Sequence, residues 1–454
     1  MSRKAGIAEQ TEGSSLESRY SVEKSRLLYE RAKKLIPGGV NSGIRASPEF
    51  ITPGLYPMFV EKGKGSHLYD VDGNKYVDYV LGYGPIILGH AHRKVNDAVI
   101  EQLEKGTVYG WTHENEVKLA EMLPEIIPCA DMVRFVSTGT EAIIAAVRIA
   151  RAYTGKDKLA KFDLAYDGWG DEVLVGAAGG FPINYSKTAP PGVPKNVLEN
   201  VVVLPWNNLD AVEKILKRLA DEVAAVMIEG GYCDGWIGPN AGFLEAISEI
   251  ARDHEILLMF DEIKTGFRLA LGGAQKRLGI TPDLATFSKA MGNGFPIAAI
   301  VGRRQVMEPV ANQSVLAGTF NGSPLSVAAA IATVTELKGK NMYEPFLESG
   351  KRLQEGMREA IKDTRTEAIV QGPETMFRIV FTGLEKITNS EELATVYEPV
   401  NKQRNRALGE QLARRGVWCH PDHAWFTSMA HTDDDLDKTI NAVFDSLREI
   451  RKIN

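Results

Sequence analysis

The sequence predicts an α/β protein with a mostly parallel sheet in a large domain and a smaller α+β domain. Short apolar runs alternate with helical segments from about residue 130 to about residue 300, which is typical of βαβ units. Several of these runs end abruptly in acidic or small polar residues, as buried parallel strands do at the edge of a sheet. Beyond them, helices mix with isolated short strands, which favours a second domain.

Length and composition indicate an ordinary globular protein. The chain has 454 residues, of which 44% are hydrophobic and 25% charged, and its formal net charge is −6. Such a chain can bury a large core in two or three domains. We place an N-terminal segment of the small domain at 1–75, the large domain at 76–325 and the C-terminal small domain at 326–454. The weak negative charge gives no electrostatic reason to expect nucleic-acid or membrane binding.

The cysteines and the start of the chain indicate the cellular compartment of the protein. Cys129, Cys233 and Cys419 are far apart, which predicts a reducing compartment without disulfides. The first residues are polar and no apolar run is long enough to cross a bilayer, so neither a signal peptide nor a membrane span is expected. A cytoplasmic location is therefore predicted. His90 and His92 have no acidic or cysteine partner nearby, and no metal site is predicted.

The individual elements are predicted in order along the chain. Residues 1–20 are predicted as a tail, 59–79 as an antiparallel meander, and 176–200 as a long loop. Strands are expected at 132–136, 158–162, 200–204, 224–229, 256–260, 284–287 and 297–302, the last as an edge strand, with short strands near 376–380 and 425–428. Helices are expected at 21–36, 142–153, 243–253, 325–337, 343–362 and 433–450, and Asn208 is expected to cap another.

Two strand ends carry residues suited to one cofactor. The run 256–260 ends in Asp261, and the run 284–287 ends in Ser288 and Lys289. Ligands bind beyond the carboxyl ends of parallel strands, so Asp261 and Lys289 are expected to face one crevice. A lysine that forms a Schiff base and an acid that keeps a pyridine nitrogen protonated are what pyridoxal 5′-phosphate (PLP) requires. Each residue alone is also compatible with a helix cap or a solvated lysine.

A third strand end resembles a phosphate site. The strand at 132–136 is followed by a small-residue turn and then by a helix; the turn is Ser137-Thr138-Gly139-Thr140. The unpaired N–H groups and the dipole at a helix start favour an anion. A plain N-cap is built from the same parts. After the strand at 158–162, Tyr166 is placed to stack on a flat ring.

Together these motifs resemble those of the PLP-dependent class III aminotransferases, and within that family the chain is most similar to the glutamate-1-semialdehyde 2,1-aminomutases. The resemblance covers nearly the whole chain and is especially close at 68–74, 191–195, 260–268 and 271–275. It implies the PLP-dependent transferase fold type I. It also implies a homodimer with active sites at the subunit interface.

The resemblance further implies roles for single residues. Lys289 would bind the cofactor covalently and Asp261 would pair with its pyridine nitrogen. Arg45 matches a family arginine near the substrate carboxylate. The other cofactor contacts that the resemblance implies, to the ring faces and the phosphate, are Ile263, Tyr166, Thr138, Gly139, Thr140 and, across the interface, Thr319 of the partner subunit.

The substrate-facing positions depart from the aminomutase pattern. Asp167 stands where the family usually has histidine, and Gly230 follows Glu229 where proline is usual. His423 replaces a glutamate of the aminomutase site, and Tyr83 replaces a tryptophan. The residues predicted to bind substrate are Arg45, Tyr83, Asp167 and His423.

The leading hypothesis is an aminotransferase that moves an amino group from an amino acid to a keto acid such as 2-oxoglutarate or pyruvate, with Lys289 as general base. A β-amino or aromatic donor is suggested only by Tyr83, Tyr109, Trp111 and Trp425. The alternatives are a glutamate-1-semialdehyde 2,1-aminomutase, which overall similarity favours, a PLP racemase or epimerase, and a PLP-binding protein without catalysis. Both Asp261 and Lys289 are present, which argues against the last.

Overall fold

A computed structural model describes residues 20–45, 59–176, 191–309, 311 and 316–451. Nearly all of the predicted N-terminal tail, and residues 177–190 of the predicted loop, lie outside the described residues. The strands are β1 Val60–Lys64, β2 His67–Asp70, β3 Lys75–Asp78, β4 Met132–Val136, β5 Lys158–Phe162, β6 Val201–Leu204, β7 Val223–Ile228, β8 Leu257–Asp261, β9 Leu284–Phe287, β10 Ala298–Gly302, β11 Ala368–Gln371, β12 Met376–Phe381, β13 Val417–Trp418 and β14 Trp425–Phe426.

Helices cover the sheets and pack on one another. Thr138, Asn208 and Thr432 cap three of them by accepting a backbone N–H, and the cap predicted at Asn208 is confirmed. The helices are α1 Glu23–Ala32, α2 Arg93–Lys105, α3 Glu114–Met122, α4 Gly139–Thr154, α5 Asp171–Leu174, α6 Leu209–Arg218, α7 Phe243–Asp253, α8 Gly273–Leu278, α9 Arg304–Met307, α10 Pro324–Leu337, α11 Tyr343–Thr364, α12 Ser390–Val396, α13 Pro399–Arg414 and α14 Asp433–Ile450.

The large sheet has seven strands in the order β4-β10-β9-β8-β7-β5-β6. The strands from β6 to β9 run parallel, as predicted. Both faces of β7 are buried, because Val226 and Ile228 join one apolar cluster while Ala225 and Met227 join another. This two-sided burial explains why the strand reads as a continuous apolar run rather than an alternating one.

The prediction that 297–302 is an edge strand was wrong. β10 lies between β4 and β9 and is antiparallel to both. All five of its residues are buried, as expected for a strand with neighbours on either side and helices above and below. β4 forms that edge of the sheet instead.

The two ends of the described chain meet in smaller sheets. β1, β2 and β3 form the predicted antiparallel meander, and β3 continues into a parallel pair with β13. β11, β12 and β14 form a three-stranded sheet, and α11 packs against α14 beside it. Among the described residues, no helix combines the length and the apolar composition that crossing a bilayer requires.

Candidate active site

Three parallel strands end side by side at one edge of the large sheet. Ile228 of β7 is paired with Phe260 of β8, so Glu229 and Asp261 follow at adjacent strand ends. Asp261 is paired in turn with Thr286 of β9. Neighbouring strands lie about 5 Å apart, so these acids and the turn after β9 border the same space.

Asp261 is held through one of its two carboxylate oxygens. Its Oδ1 accepts hydrogen bonds from the Ile263 N–H at 2.8 Å and from the Thr286 hydroxyl at 3.3 Å, and Oδ2 is left for a ligand. Burial, followed by the carboxylates of Asp167 and Glu229, holds the pKa of Asp261 well above its usual range. A cation beside Oδ2 would favour the ionised form of this buried acid.

Lys289 begins the short 3₁₀ turn Lys289–Gly292 directly after β9. Its φ of 43° lies in the left-handed region, which costs a residue with a Cβ about 1 kcal/mol. The preceding Ser288 donates its hydroxyl to the Ile297 carbonyl at 2.7 Å, which ties the turn to the segment before β10. Burial, and next the ammonium of Lys264, lower the pKa of Lys289 to about 7. Such an amine is largely unprotonated just above neutral pH, as a nucleophile or base requires.

The predicted phosphate site is the start of α4. The Glu141 carboxylate accepts the N–H of Thr138 at 2.8 Å, and the Thr138 hydroxyl accepts the N–H of Glu141 at 3.3 Å. The N–H groups of Gly139 and Thr140 are the first two of the helix and have no acceptor within it, so they are the donors left for an anion. A Cβ on Gly139 would lie 2.8 Å from Ile263 Cδ1, so the helix start packs closely against the residues that follow Asp261.

The segment with Tyr166 and Asp167 lies against the same helix start. A Cβ on Gly168 would lie 2.8 Å from the Thr140 hydroxyl. Tyr166 is partly buried. Asp167 is 1% exposed, and its Oδ2 lies 3.0 Å from Nζ of the fully buried Lys161. A direct contact of Asp167 with substrate stays a prediction; its burial favours an electrostatic effect on Asp261.

Three of the predicted substrate residues lie on one side of the site. The rings of Tyr83 and His423 are 5.2 Å apart, and that of His420 is about equally close to both. Burial, followed by the amines of Lys264 and Lys289, holds the pKa of His423 well below its ordinary value, so the ring is neutral at neutral pH. Arg45 is exposed at the end of the 3₁₀ turn Gly43–Arg45, and its charge acts on the Tyr83 hydroxyl.

The aromatic residues that suggested an aromatic donor lie in different surroundings. Trp425 is 3% exposed and packs between Tyr79 and Phe377 in the small domain. Trp111 is 87% exposed, and the Tyr109 hydroxyl accepts a hydrogen bond from the Gln102 side chain. Of the four, Tyr83 lies beside another predicted substrate residue, His423, and an aromatic donor stays a prediction.

Thr319 lies in an exposed loop between Gly318 and Ser323. This loop is fixed to its own chain, because the Gly322 carbonyl lies 2.9 Å from His113 Nε2 and the Phe320 carbonyl accepts the Ser137 hydroxyl at 3.3 Å. The loop therefore borders the start of α4. Whether Thr319 completes the phosphate site of its own chain or of a partner subunit stays a prediction.

Two buried cations next to the site were not predicted to act there. Lys264 is 6% exposed and forms an ion pair with Glu229. Arg268 is fully buried and donates to the carbonyls of Gly84, Thr427 and Thr375. The sequence carried one signal for Lys264: an acid, Glu229, that follows the strand next to β8 in the sheet.

The chemistry of these groups fits PLP. The buried Asp261 has an oxygen free for a protonated pyridine nitrogen, and the pKa of Lys289 suits covalent attachment. The start of α4 offers N–H groups for a phosphate. Each of these three groups would bind a different part of the cofactor.

Comparison with known proteins gives the same indication. The family model described as aminotransferase class-III matches residues 52–447. The chain is 42% identical, over 93% of its length and 98% of the relative's, to the glutamate-1-semialdehyde 2,1-aminomutase of Methanocaldococcus jannaschii.

Solved structures of transaminases share the fold. An omega-transaminase from Sphaerobacter thermophilus superposes with a TM-score of 0.86 at 30% identity, covering 97% of this chain and all of the other. A beta-phenylalanine aminotransferase from Variovorax paradoxus superposes with a TM-score of 0.82 at 27% identity, covering 95% of each chain.

Proposed function

The chain belongs to the class III aminotransferases, and from this premise we propose that it is a PLP-dependent aminomutase that moves the amino group within one molecule of glutamate-1-semialdehyde. We infer the reaction class from one observation: Asp261 and Lys289 lie at adjacent strand ends. The observation that favours the intramolecular reaction is the set of curated relatives, named for this activity at about 40% identity over most of the chain. These relatives favour the aminomutase over the intermolecular aminotransferase that the leading hypothesis put first.

Bound PLP supplies an electron sink for the charge left when a proton leaves the substrate carbon. Asp261, fixed through Oδ1, would hold the pyridine nitrogen protonated with Oδ2. Gly139 and Thr140 would hold the phosphate by their N–H groups, assisted by the Thr138 hydroxyl. Lys289 would attach the cofactor covalently, and its free amine would move the proton to and from the substrate carbon.

The remaining protein groups would orient the substrate. Arg45 is an exposed cation whose charge acts on the Tyr83 hydroxyl, and it suits a substrate carboxylate. Ile263 and Tyr166 would lie on the two faces of the cofactor ring. Tyr83 and His423, 5.2 Å apart, would border the carbon that gains or loses the amino group.

Intermolecular transamination is the second candidate, because His423 replaces the acid of the aminomutase pattern. The pKa of His423 lies well below that of an ordinary histidine, so the ring is neutral. A neutral ring cannot provide the negative charge of a glutamate at this position. That difference favours release of the first product and entry of a separate keto acid.

One assay separates the two candidates. The PLP-loaded protein is given glutamate-1-semialdehyde without any added acceptor, and formation of the rearranged isomer is followed by chromatography. We expect turnover without an acceptor, and none in Lys289→Ala. Conversion that requires added pyruvate or 2-oxoglutarate would identify an aminotransferase instead.

We further propose a homodimer with shared active sites in the cytoplasm. Large apolar side chains stay exposed on α2, on the segment after it and on the Thr319 loop; they are Ile100, Leu103, Val108, Trp111 and Phe320. Such a patch favours burial against a second subunit. The three cysteines are free thiols within the described chain, which suits a reducing compartment.

A further inference from the structure

Lys264 is an ammonium group buried beside the reaction centre. It lies three residues after Asp261, is 6% exposed, and forms an ion pair with Glu229. Its Nζ also lies 3.8 Å from Asp234 Oδ1. A buried charge is tolerated only when it is paired. Burial lowers the pKa of this amine, but the two carboxylates more than offset burial and hold the pKa above its ordinary value.

The turn after β7 is shaped to supply both carboxylates. Gly230 and Gly231 have φ values of 47° and 73°, and Asp234 has a φ of 50°. A Cβ on Gly230 would lie 2.0 Å from the Thr265 hydroxyl, so only glycine allows this close approach. The turn folds back, and the Asp234 N–H donates to the Glu229 carboxylate at 3.1 Å. Proline, usual in the aminomutases after this glutamate, cannot adopt a positive φ.

A further hydrogen bond fixes the second carboxylate. The Trp236 indole N–H donates to Asp234 Oδ2 at 3.0 Å, and Trp236 is itself fully buried. Glu229 follows the strand beside that of Asp261, and Lys289 follows the next strand. The ammonium of Lys264 is therefore held in one place among the strand ends that carry the two reacting groups.

We propose that Lys264 is a positioning residue of this active site, whose fixed ammonium keeps the neighbouring Lys289 amine unprotonated. The inference rests on the proposed function only in giving Lys289 the role of base. Lys264 acts through space on Lys289 and does not itself touch the substrate.

The charges around Lys289 support this role. Burial is the largest cause that lowers the pKa of Lys289 to about 7, and the Lys264 ammonium is the second largest. The carboxylates of Asp261 and Glu229 act in the opposite direction and raise this pKa. Arg268 acts in the same direction as Lys264. The His423 ring also faces Lys289, but it is neutral. Lys264 is thus the strongest charged influence that favours the free amine.

The competing explanation is that Lys264 only neutralises Glu229. Three variants separate the explanations: Lys264→Met, Glu229→Gln, and the charge-balanced double variant that combines the two substitutions. Lys264→Arg keeps the charge. Lys156→Met is the matched control, because Lys156 is a partly buried lysine before β5, where its Nζ donates to three carbonyls far from the site.

The readout is made on the apoprotein, without substrate. The rate at which trinitrobenzenesulfonate labels Lys289 is measured against pH by mass spectrometry of the Lys289 peptide, and its midpoint is the pKa of the amine. We expect the midpoint to rise by about 1 pH unit in Lys264→Met. A smaller rise is expected in the double variant, because the opposing Glu229 charge is lost as well. Lys264→Arg and Lys156→Met should keep the wild-type midpoint.

The result that overturns the proposal is a double variant whose midpoint equals that of Glu229→Gln alone, because removing the Lys264 charge would then have no effect of its own. If Lys264→Met fails to fold, the labelling midpoint is measured in the charge-balanced double variant instead. With PLP bound, the pH at which kcat reaches half its maximum should shift in the same direction as the labelling midpoint. Failure of the aminomutase assay leaves the labelling result intact, so the two proposals fail separately.

Discussion

Two adjacent acids at the end of β8 have opposite surroundings. Asp261 keeps one oxygen free, and burial together with the neighbouring carboxylates raises its pKa. Glu262 is fully buried and accepts the N–H groups of Ala274 at 2.8 Å and Gln275 at 2.9 Å, besides the Thr265 hydroxyl. The first acid is therefore available to a ligand, while the second holds the loop after β8 in place.

This contrast predicts opposite effects of two conservative substitutions. Asp261→Asn should leave the stability of the apoprotein unchanged or higher, because it removes a buried acid with acidic neighbours, and should lower kcat at least about 100-fold. Glu262→Gln should lower the free energy of unfolding by about 2 kcal/mol, because charge-assisted hydrogen bonds are weakened. Urea unfolding and steady-state kinetics check both effects. An Asp261→Asn enzyme with normal kcat would refute the assignment to the pyridine nitrogen.

At the scale of elements, the segment from β13 to α14 holds three neutral histidines, His420, His423 and His431, of which His420 and His431 are buried. His431 stacks on Tyr79 with the ring centres 4.6 Å apart, and its Nδ1 accepts the Ser428 N–H at 2.9 Å. Burial lowers the pKa of His431 to about 4 and that of His420 to about 3. The unfolded chain binds these protons near pH 6.5, so the segment should make the fold sensitive to acid.

We expect the free energy of unfolding to fall as the pH drops from about 6.5 towards 4. The folded pKa of His431 is lowered, so the unfolded state binds more protons across this window and stability rises with pH. For His431 alone the loss between pH 7 and pH 5 amounts to about 2 kcal/mol. His431→Asn, whose Oδ1 can accept the Ser428 N–H, should show a loss smaller by that amount in urea unfolding at the two pH values. An equal loss in both proteins would exclude His431 as the cause.

Local pattern was enough to predict most elements. The helix predicted at 433–450 has the observed bounds, because its acidic first turn and apolar spacing are both local features. The meander at 59–79 is also confirmed. The position of β10 was missed, because strand order depends on pairings between distant segments. Its fully apolar run did carry a signal for burial on both faces.

The candidate site could be predicted only in part for the same reason. Asp261 and Lys289 stand at strand ends that are recognisable one at a time. The pairing of Lys264 with Glu229 joins a loop to another strand end 35 positions earlier in the chain, and no local pattern encodes it.

At the scale of the whole molecule, the site depends on how separate parts of the chain meet. The buried Arg268 joins the loop after β8 to the small domain by donating to the carbonyls of Thr427 at 2.7 Å and Thr375 at 3.3 Å. The carbonyl of Gly84, next to Tyr83, is its third acceptor. One guanidinium thus links the loop after β8 to the segments that carry Tyr83 and His423.

A hybrid dimer tests whether the site also needs a second subunit. One protomer carries Lys289→Ala and the other Thr319→Val, each with its own purification tag. If Thr319 acts across the interface, one site of the hybrid keeps both Lys289 and Thr319 of the partner subunit. That hybrid should reach about half of the wild-type kcat at the wild-type concentration of PLP.

The two parent homodimers set the limits for this comparison. Lys289→Ala should be inactive, because it lacks the group that attaches the cofactor and moves the proton. Thr319→Val removes one charge-assisted hydrogen bond to phosphate, worth about 1.5–3 kcal/mol, so it should need about 10–100 times more PLP for half-saturation. If Thr319 instead serves the start of α4 in its own chain, beside which its loop is fixed, both sites of the hybrid are damaged. The hybrid would then need the higher PLP concentration of the Thr319→Val parent, and the interface would contribute no phosphate ligand through this residue.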